Sequence, residues 1–263
     1  MMPPQPTSTS HRIPKVTRQN AMWFLLEPTS RTATKRNDNH SGHLGDMRPR
    51  LIGRGLSIST MFHVERHDLW LQIARHSVHT PPEDFIEKLE RYRGWLLEEA
   101  IPAGGLGPAE SERVDERHIA DSLLFSLLIP KCERVLDIGT GVGLPGVPLA
   151  ILMPEARFVL LDRSGKRVHL VKRATRVLDL GNVEVTQDSV SDFSGRFPVV
   201  VSRATIPPDL FLSHLKRLLQ PGGVGLLGGS WEQEPVYEAY EREEIGSTIL
   251  DQPVWILIMR QSE

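Results

Sequence analysis

The segment Leu136-Asp-Ile-Gly-Thr-Gly-Val-Gly-Leu-Pro-Gly146 decides how this chain is read. It joins the apolar run Arg134 to Ile138 to a second apolar run, Pro145 to Leu152. The first predicts a strand and the second a helix. In that order, the free N–H groups of the helix start lie beside the turn. Glycines at 139, 141 and 143 permit the turn and let a ligand approach the backbone closely. Two acids flank it. Asp137 stands directly before the glycines, where a carboxylate suits a cationic amino-acid group and repels a pyrophosphate. Asp162 ends the next predicted strand, where it can accept both hydroxyl protons of a ribose. Together they favour S-adenosylmethionine as cofactor. Gly141, Gly143 and Gly146 also satisfy G-x-G-x-x-G, with Asp162 as the ribose acid. That pattern keeps an NAD(P)-dependent Rossmann oxidoreductase as the alternative. The bland reading is a turn that only tightens strand–helix packing.

Outward from this segment the pattern alternates. Strands are predicted over 157–161, 183–186, 198–202, 224–227 and 254–260. Helices are predicted over 166–180, closed by Gly181, over 209–219, stopped at Pro221-Gly222-Gly223, and over 233–243. Alternation of this kind implies an α/β fold whose mostly parallel sheet is covered on both faces. Upstream, Thr80-Pro-Pro-Glu83 has the form of a capping box opening a helix over 82–100. Gly104, Gly105, Gly107 and Pro108 mark a loop, and a second helix is predicted over 116–128. The expected organisation is a basic leader without fixed structure at 1–60, an N-terminal helical segment at 61–130 and the nucleotide-binding domain at 131–263.

Composition bounds the function. The chain has 263 residues, 40% of them apolar and 24% charged, as in a globular protein with a sizeable core. Cys132 is the one cysteine, so no intrachain disulfide forms and a cytoplasmic protein is expected. No apolar run approaches the ~20 residues that span a bilayer. Residues 1–60 hold nine Lys/Arg against three Asp/Glu, and the remainder 22 against 30. The folded part is therefore acidic, which argues against a nonspecific DNA-coating protein. The basic leader fits an organelle transit peptide or, as we favour, a tail or an upstream extension of the reading frame. His63, His67, His76 and His79 share one stretch but lack Cys partners and an H-E-x-x-H pattern, so no metal is expected. Cys132 reads as a packed thiol.

Four motifs occur in order: Arg117-His-Ile-Ala-Asp-Ser122, the glycine segment, Leu160-Leu-Asp-Arg-Ser-Gly-Lys-Arg167 and Ser202-Arg-Ala204. With them the chain resembles the small-subunit rRNA guanine-N7 methyltransferases, also known as glucose-inhibited division protein B, over about Pro82 to Arg260. Gly105-Leu-Gly-Pro108 is similar to actinobacterial members. The resemblance implies a seven-stranded sheet of the S-adenosylmethionine-dependent methyltransferase type. It implies methyl transfer to N7 of a guanine in 16S rRNA, free or in an assembling small subunit. It implies cofactor contacts at Gly139 and Leu144, at Asp162, Arg163 and Ser164, at Val190 and Ser191, and at Arg203. The family carries Leu-Lys-Gly near the fifth strand, where this chain has Leu227-Gly228-Gly229. A noncatalytic RNA-binding relative is the third function this departure keeps open. The adenine-side pair often carries an acid in the family; here Ser191 stands there, with Asp188 and Asp192 nearby.

The chemistry asks little of side chains. Guanine N7 holds a lone pair, so no general base is required and catalysis is mainly positioning. Arg203 is the positioning candidate, ordering the cofactor or gripping a phosphate; its bland reading is a surface ion pair. Arg117 and His118 are candidates for RNA contact, against polar packing at a helix start. Asp121 is a stronger candidate than Ser122. Lys166 and Arg167 belong to a local basic cluster with Arg157, Arg163, Lys172, Arg173 and Arg176. That cluster suits rRNA phosphates, or is a solvated helix face. A monomer is expected.

Overall fold

The computed structural model describes residues 58–229, 235–245 and 254–262, with side chains from Arg66 onward. The leader expected over 1–60 lies outside these residues except for 58–60, which open helix α1, Ile58–His76. Helix α2, Phe85–Trp95, runs on into a π-helical turn, Leu96–Ala100. The capping box expected at Thr80 and Glu83 does not form. The helix starts after Asp84, which makes no side-chain cap but pairs with Lys88 at 2.8 Å.

The helix expected over 116–128 is broken into three pieces, with a 3-10 turn ahead of them. A 3-10 turn, Pro108–Arg113, leads into a π-helical stretch, Val114–Ala120, then a short α3, Asp121–Leu124, then a 3-10 turn, Phe125–Leu127. Both the tighter 3-10 turns and the wider π-helical stretch break the i to i−4 ladder and free carbonyls for other donors.

Strand β1, Arg134–Ile138, and helix α4, Gly146–Leu152, bracket the glycine turn. Then follow β2 (Arg157–Asp162), α5 (Gly165–Val177), β3 (Val183–Gln187), β4 (Phe197–Arg203) and α6 (Pro208–Leu218). The sheet ends with β5 (Leu219–Gly229), β6 (Glu241–Ile245) and β7 (Val254–Arg260). Two expectations are corrected here. Pro221-Gly222-Gly223 does not separate α6 from β5 but lies inside the strand, where Gly222 takes φ +72°. The helix expected over 233–243 is absent at its described end. Glu241–Ile245 is instead a strand, pairing antiparallel with β7.

The seven strands lie in the order β3-β2-β1-β4-β5-β7-β6. All neighbours from β3 to β5 are parallel, and β7 is antiparallel to both of its neighbours. The expected seven-stranded, mostly parallel α/β sheet is therefore present. Both faces are apolar, with period 2. Val135, Phe158, Leu160, Val199 and Val201 join one core with Trp70, Leu89, Val147 and Val171. Leu136, Val159, Leu161 and Val200 face the other way, onto Phe211, Leu215 and Leu218 of α6. The N-terminal helices thus complete one layer of the sheet's own core.

From β1 the chain winds one way through β2 and β3, then returns to place β4 on the other side of β1. Beyond the carboxyl ends of β1 and β4 lies the topological switch point, where open α/β sheets bind ligands.

Candidate active site at the carboxyl edge of the sheet

The glycine turn stands at that switch point, and Asp137 builds it. Its Oδ2 accepts from Thr140 Oγ1 at 2.7 Å and from the Gly146 N–H at 2.9 Å, pinning both the turn and the start of α4. The carboxyl is 0% exposed, and Oδ1 has no hydrogen-bond partner. Burial pushes its pKa up to about 7, against the lowering effect of the two hydrogen bonds and of Arg203. The hydrogen bonds of Asp137 thus run to the turn and to the start of α4, and its Oδ1 is left without a donor.

Asp162 faces the turn from the end of β2. Its Oδ2 accepts from the Gly141 N–H at 3.0 Å and its Oδ1 from the Ser164 N–H at 2.8 Å. Ser164 caps α5. Arg163 is exposed beside it, and Arg167 approaches Asp162 at 3.8 Å. Gly141 has φ +62°, and a Cβ there would meet nothing nearer than the Gly139 carbonyl at 4.0 Å, so the backbone is open to an approaching group. Gly139, at φ +69°, is instead covered: a Cβ would lie 2.4 Å from Thr205 Cγ2. Leu144 is buried, 5% exposed. Val190 and Ser191 follow β3 on the same edge. Arg217 donates to the Val190 carbonyl at 2.6 Å, and the Ser191 N–H donates to Ser189 Oγ at 3.3 Å.

Three residues that the sequence reading missed lock the site together. Ser202 donates to the Ile138 carbonyl at 2.8 Å and Thr205 to the Gly139 carbonyl at 3.0 Å, tying β4 to the turn. Tyr92 reaches from α2 to donate to the Val142 carbonyl at 2.9 Å. Ser202 opens and Thr205 follows a motif already singled out; Tyr92, fifty positions from its acceptor, leaves no signal in the sequence.

Arg203 turns towards the N-terminal helices. Its guanidinium donates to the carbonyl oxygens of Arg117 (2.8 Å) and His118 (3.4 Å), which the π-helical stretch leaves available, and to His118 Nδ1 at 3.2 Å. His118 Nε2 lies 2.9 Å from Glu110. An imidazole that accepts at Nδ1 donates at Nε2, so this ring is the neutral Nε2–H tautomer. Burial, then the Arg203 charge, lower its pKa to about 4. Asp121 is 8% exposed, and its Oδ1 has no hydrogen-bond partner. Burial raises its pKa to about 6, opposed by Arg203 and Arg117. Arg203, Arg117, His118, Asp121 and Gly228 line one cleft of about 190 Å³ beyond β4 and β5.

Lys166 and Arg167 lie exposed in the first turn of α5, a turn away from Asp162. Arg173, on the same helix, is paired with Glu99 at 2.6 Å. A larger cleft of about 910 Å³ opens at the opposite, amino-terminal edge, between Arg134, Arg157 and Asn182, away from the glycine turn. Neither cleft is lined by the turn itself, which is buried except at the half-buried Gly139 and Gly141. Cys132 is half-buried, with its pKa raised by burial to about 11. Among the described residues no group of three His, Cys, Asp or Glu gathers, and no helix is long and apolar enough to cross a membrane.

Comparison with known proteins joins these observations. The family model for rRNA small subunit methyltransferase G matches residues 85–252. The chain is 36% identical over 134 residues to the ribosomal RNA small subunit methyltransferase G of Acidothermus cellulolyticus, covering 51% of this chain and 60% of that protein. It is 38% identical over 144 residues to the one from Mycobacterium marinum, covering 52% and 62%. The match thus spans about three fifths of these relatives' length. A solved S-adenosylmethionine-dependent methyltransferase from Aquifex aeolicus aligns with 59% of this chain and 98% of its own, at 17% identity and a TM-score of 0.46. With its glycine turn, its Arg-His motif and its Ser-Arg-Ala turn all inside the matched residues, this chain belongs to the rRNA small subunit methyltransferase G family.

Proposed function

We propose that the chain binds S-adenosylmethionine at the carboxyl edge of β1 and β2 and directs methyl transfer to N7 of a guanine in 16S rRNA. The observation that carries this reading is Asp162. At the switch point its carboxylate is fixed by the Gly141 and Ser164 N–H groups, beside backbone that is open to a ligand. Each oxygen keeps lone pairs for a ribose hydroxyl. Gly141 offers the open backbone on the turn side, with Gly139 beneath Thr205 and the buried Leu144 holding the turn's shape. Arg163 and Ser164 continue from Asp162, and Val190 and Ser191 stand beyond β3. Asp137 serves by holding the turn in shape. When bound, S-adenosylmethionine supplies an electrophilic methyl group.

The chain's own task is to orient the base and exclude water, since N7 attacks without losing a proton. Arg203 is the positioning residue: it fixes the Arg117–His118 turn against the end of β4. Lys166 and Arg167 offer charge to RNA phosphates beside the cofactor edge, with Arg117 at the second cleft. The substrate is 16S rRNA, free or in the assembling subunit, met by a monomer in the cytoplasm.

Calorimetric titration separates this reading from its rival. S-adenosylmethionine is expected to bind and NAD to give no heat. Binding of NAD alone overturns the proposal.

A further inference from the structure

We propose that Asp121 reads the Watson–Crick edge of the guanine that is to be methylated, in the cleft beyond β4 and β5. The inference rests on the guanine reading given above and names the group that would select the base.

The cleft holds about 190 Å³, below the range that accommodates drug-sized ligands and suited to a single base. Its floor at Gly228 and Gly229 carries no side chain. The Phe125 ring fills the space beneath: a Cβ on Gly228 would lie 2.5 Å from Phe125 Cζ. Phe125 thus lines the cleft beside the strand end, an apolar neighbour for a planar base. Asp121 lines the wall. It is more than nine-tenths buried, and its Oδ1 lacks a donor. A buried acceptor left unpaired is costly, so an absent donor is its natural explanation. Arg203, the nearest cation in charge terms, spends its guanidinium on Arg117 and His118. It supplies positive potential without a hydrogen bond to the carboxylate.

Guanine is the base that matches. Its N1–H and N2–H₂ point the same way from one edge, and a carboxylate accepts both. Adenine and cytosine put a ring acceptor there, and uracil offers one donor. N7 lies on the imidazole side of guanine, so anchoring N1 and N2 at Asp121 leaves N7 turned away from the wall. Ala204 lines the cleft, and the next residue, Thr205, bonds Gly139 of the glycine turn at 3.0 Å. The cleft and the glycine turn are thus joined through two successive residues. Enzymes that act on bases take them out of the stack and read this edge by hydrogen bonds.

The test titrates guanosine, inosine and adenosine 5′-monophosphates into the full chain saturated with S-adenosylhomocysteine. Inosine keeps N7 and N1–H but lacks the 2-amino group. The wild-type protein is expected to bind the guanosine nucleotide about tenfold more tightly than the inosine nucleotide, and adenosine more weakly still. In Asp121→Asn the guanosine and inosine nucleotides are expected to bind equally. Equal wild-type affinities overturn the proposal, as does a guanosine preference that survives in Asp121→Asn. The wild-type series decides without any variant. A guanosine preference without methyl transfer to rRNA supports the Asp121 site and sinks the reaction. Methyl transfer at N7 without that preference does the reverse.

Discussion

Asp137 and Asp162 stand one strand apart and do different work. Asp162, buried at 4% exposed, keeps lone pairs beside the open Gly141 backbone, so it is the residue whose loss is expected to cost cofactor binding. Asp162→Asn should raise the dissociation constant for S-adenosylmethionine about 10- to 100-fold, the worth of one charge-assisted hydrogen bond. Titration calorimetry reads this; an unchanged constant removes Asp162 from the site. Asp137 acts on stability. Its folded pKa, about 7, is above the ordinary 3.8. Between those values the folded chain keeps a proton that the unfolded chain has released, so this group's contribution falls as pH rises through that window. Asp137→Asn, which cannot ionise, should lose less stability than wild type between about pH 5 and about pH 8. Urea unfolding at both pH values measures it, and parallel losses would contradict it.

The elements divide into those that a sequence reveals and those that tertiary contacts decide. Strands β1, β2 and β4 are buried on both faces, so each is a continuous apolar run that can be read directly. The glycine turn was readable too, because φ near +60 to +105° at 139, 141 and 143 demands glycine. β6 was not. Glu241-Arg-Glu-Glu-Ile245 has helical propensity, and only the open edge of β7 makes it a strand. Its charges suit an edge strand, where they deter pairing with another chain. The break at Val114–Ala120 was equally hidden, since its freed carbonyls are satisfied by Arg203, 86 positions away.

Of the candidate site, the acids and glycines stood in local motifs. The clasp from Tyr92 depends on α2 folding back over the turn. Tyr92→Phe should cost about 1 kcal/mol of unfolding free energy and weaken cofactor binding severalfold. Urea unfolding and calorimetry check the pair of effects; no change in either would show that the clasp is idle. The strand end at Gly228 carries a further consequence. Gly228→Lys would restore the family residue, but its Cβ collides with Phe125. A loss of about 1–3 kcal/mol is expected, relieved when Phe125→Leu is added. Thermal unfolding of the single and double variants tests this, and a fully stable single variant would contradict the packing.

The N-terminal helices and the sheet share one core. Trp70, Phe85, Leu89 and Tyr92 are at most 1% exposed and sit in the cluster that holds Val135, Val147 and Leu160. A chain beginning at Lys131 would bare that face of the sheet and is expected to show no cooperative unfolding transition. The same helices carry Asp121, His118 and Tyr92, so cofactor turn, base cleft and core form one continuous structure. What the molecule does with that structure is settled by methyl transfer from labelled S-adenosylmethionine to purified small-subunit rRNA, with the product mapped to the atom. Label at N7 of a single guanine is the expected result; label on another atom, or none on either naked rRNA or assembling subunits, contradicts it.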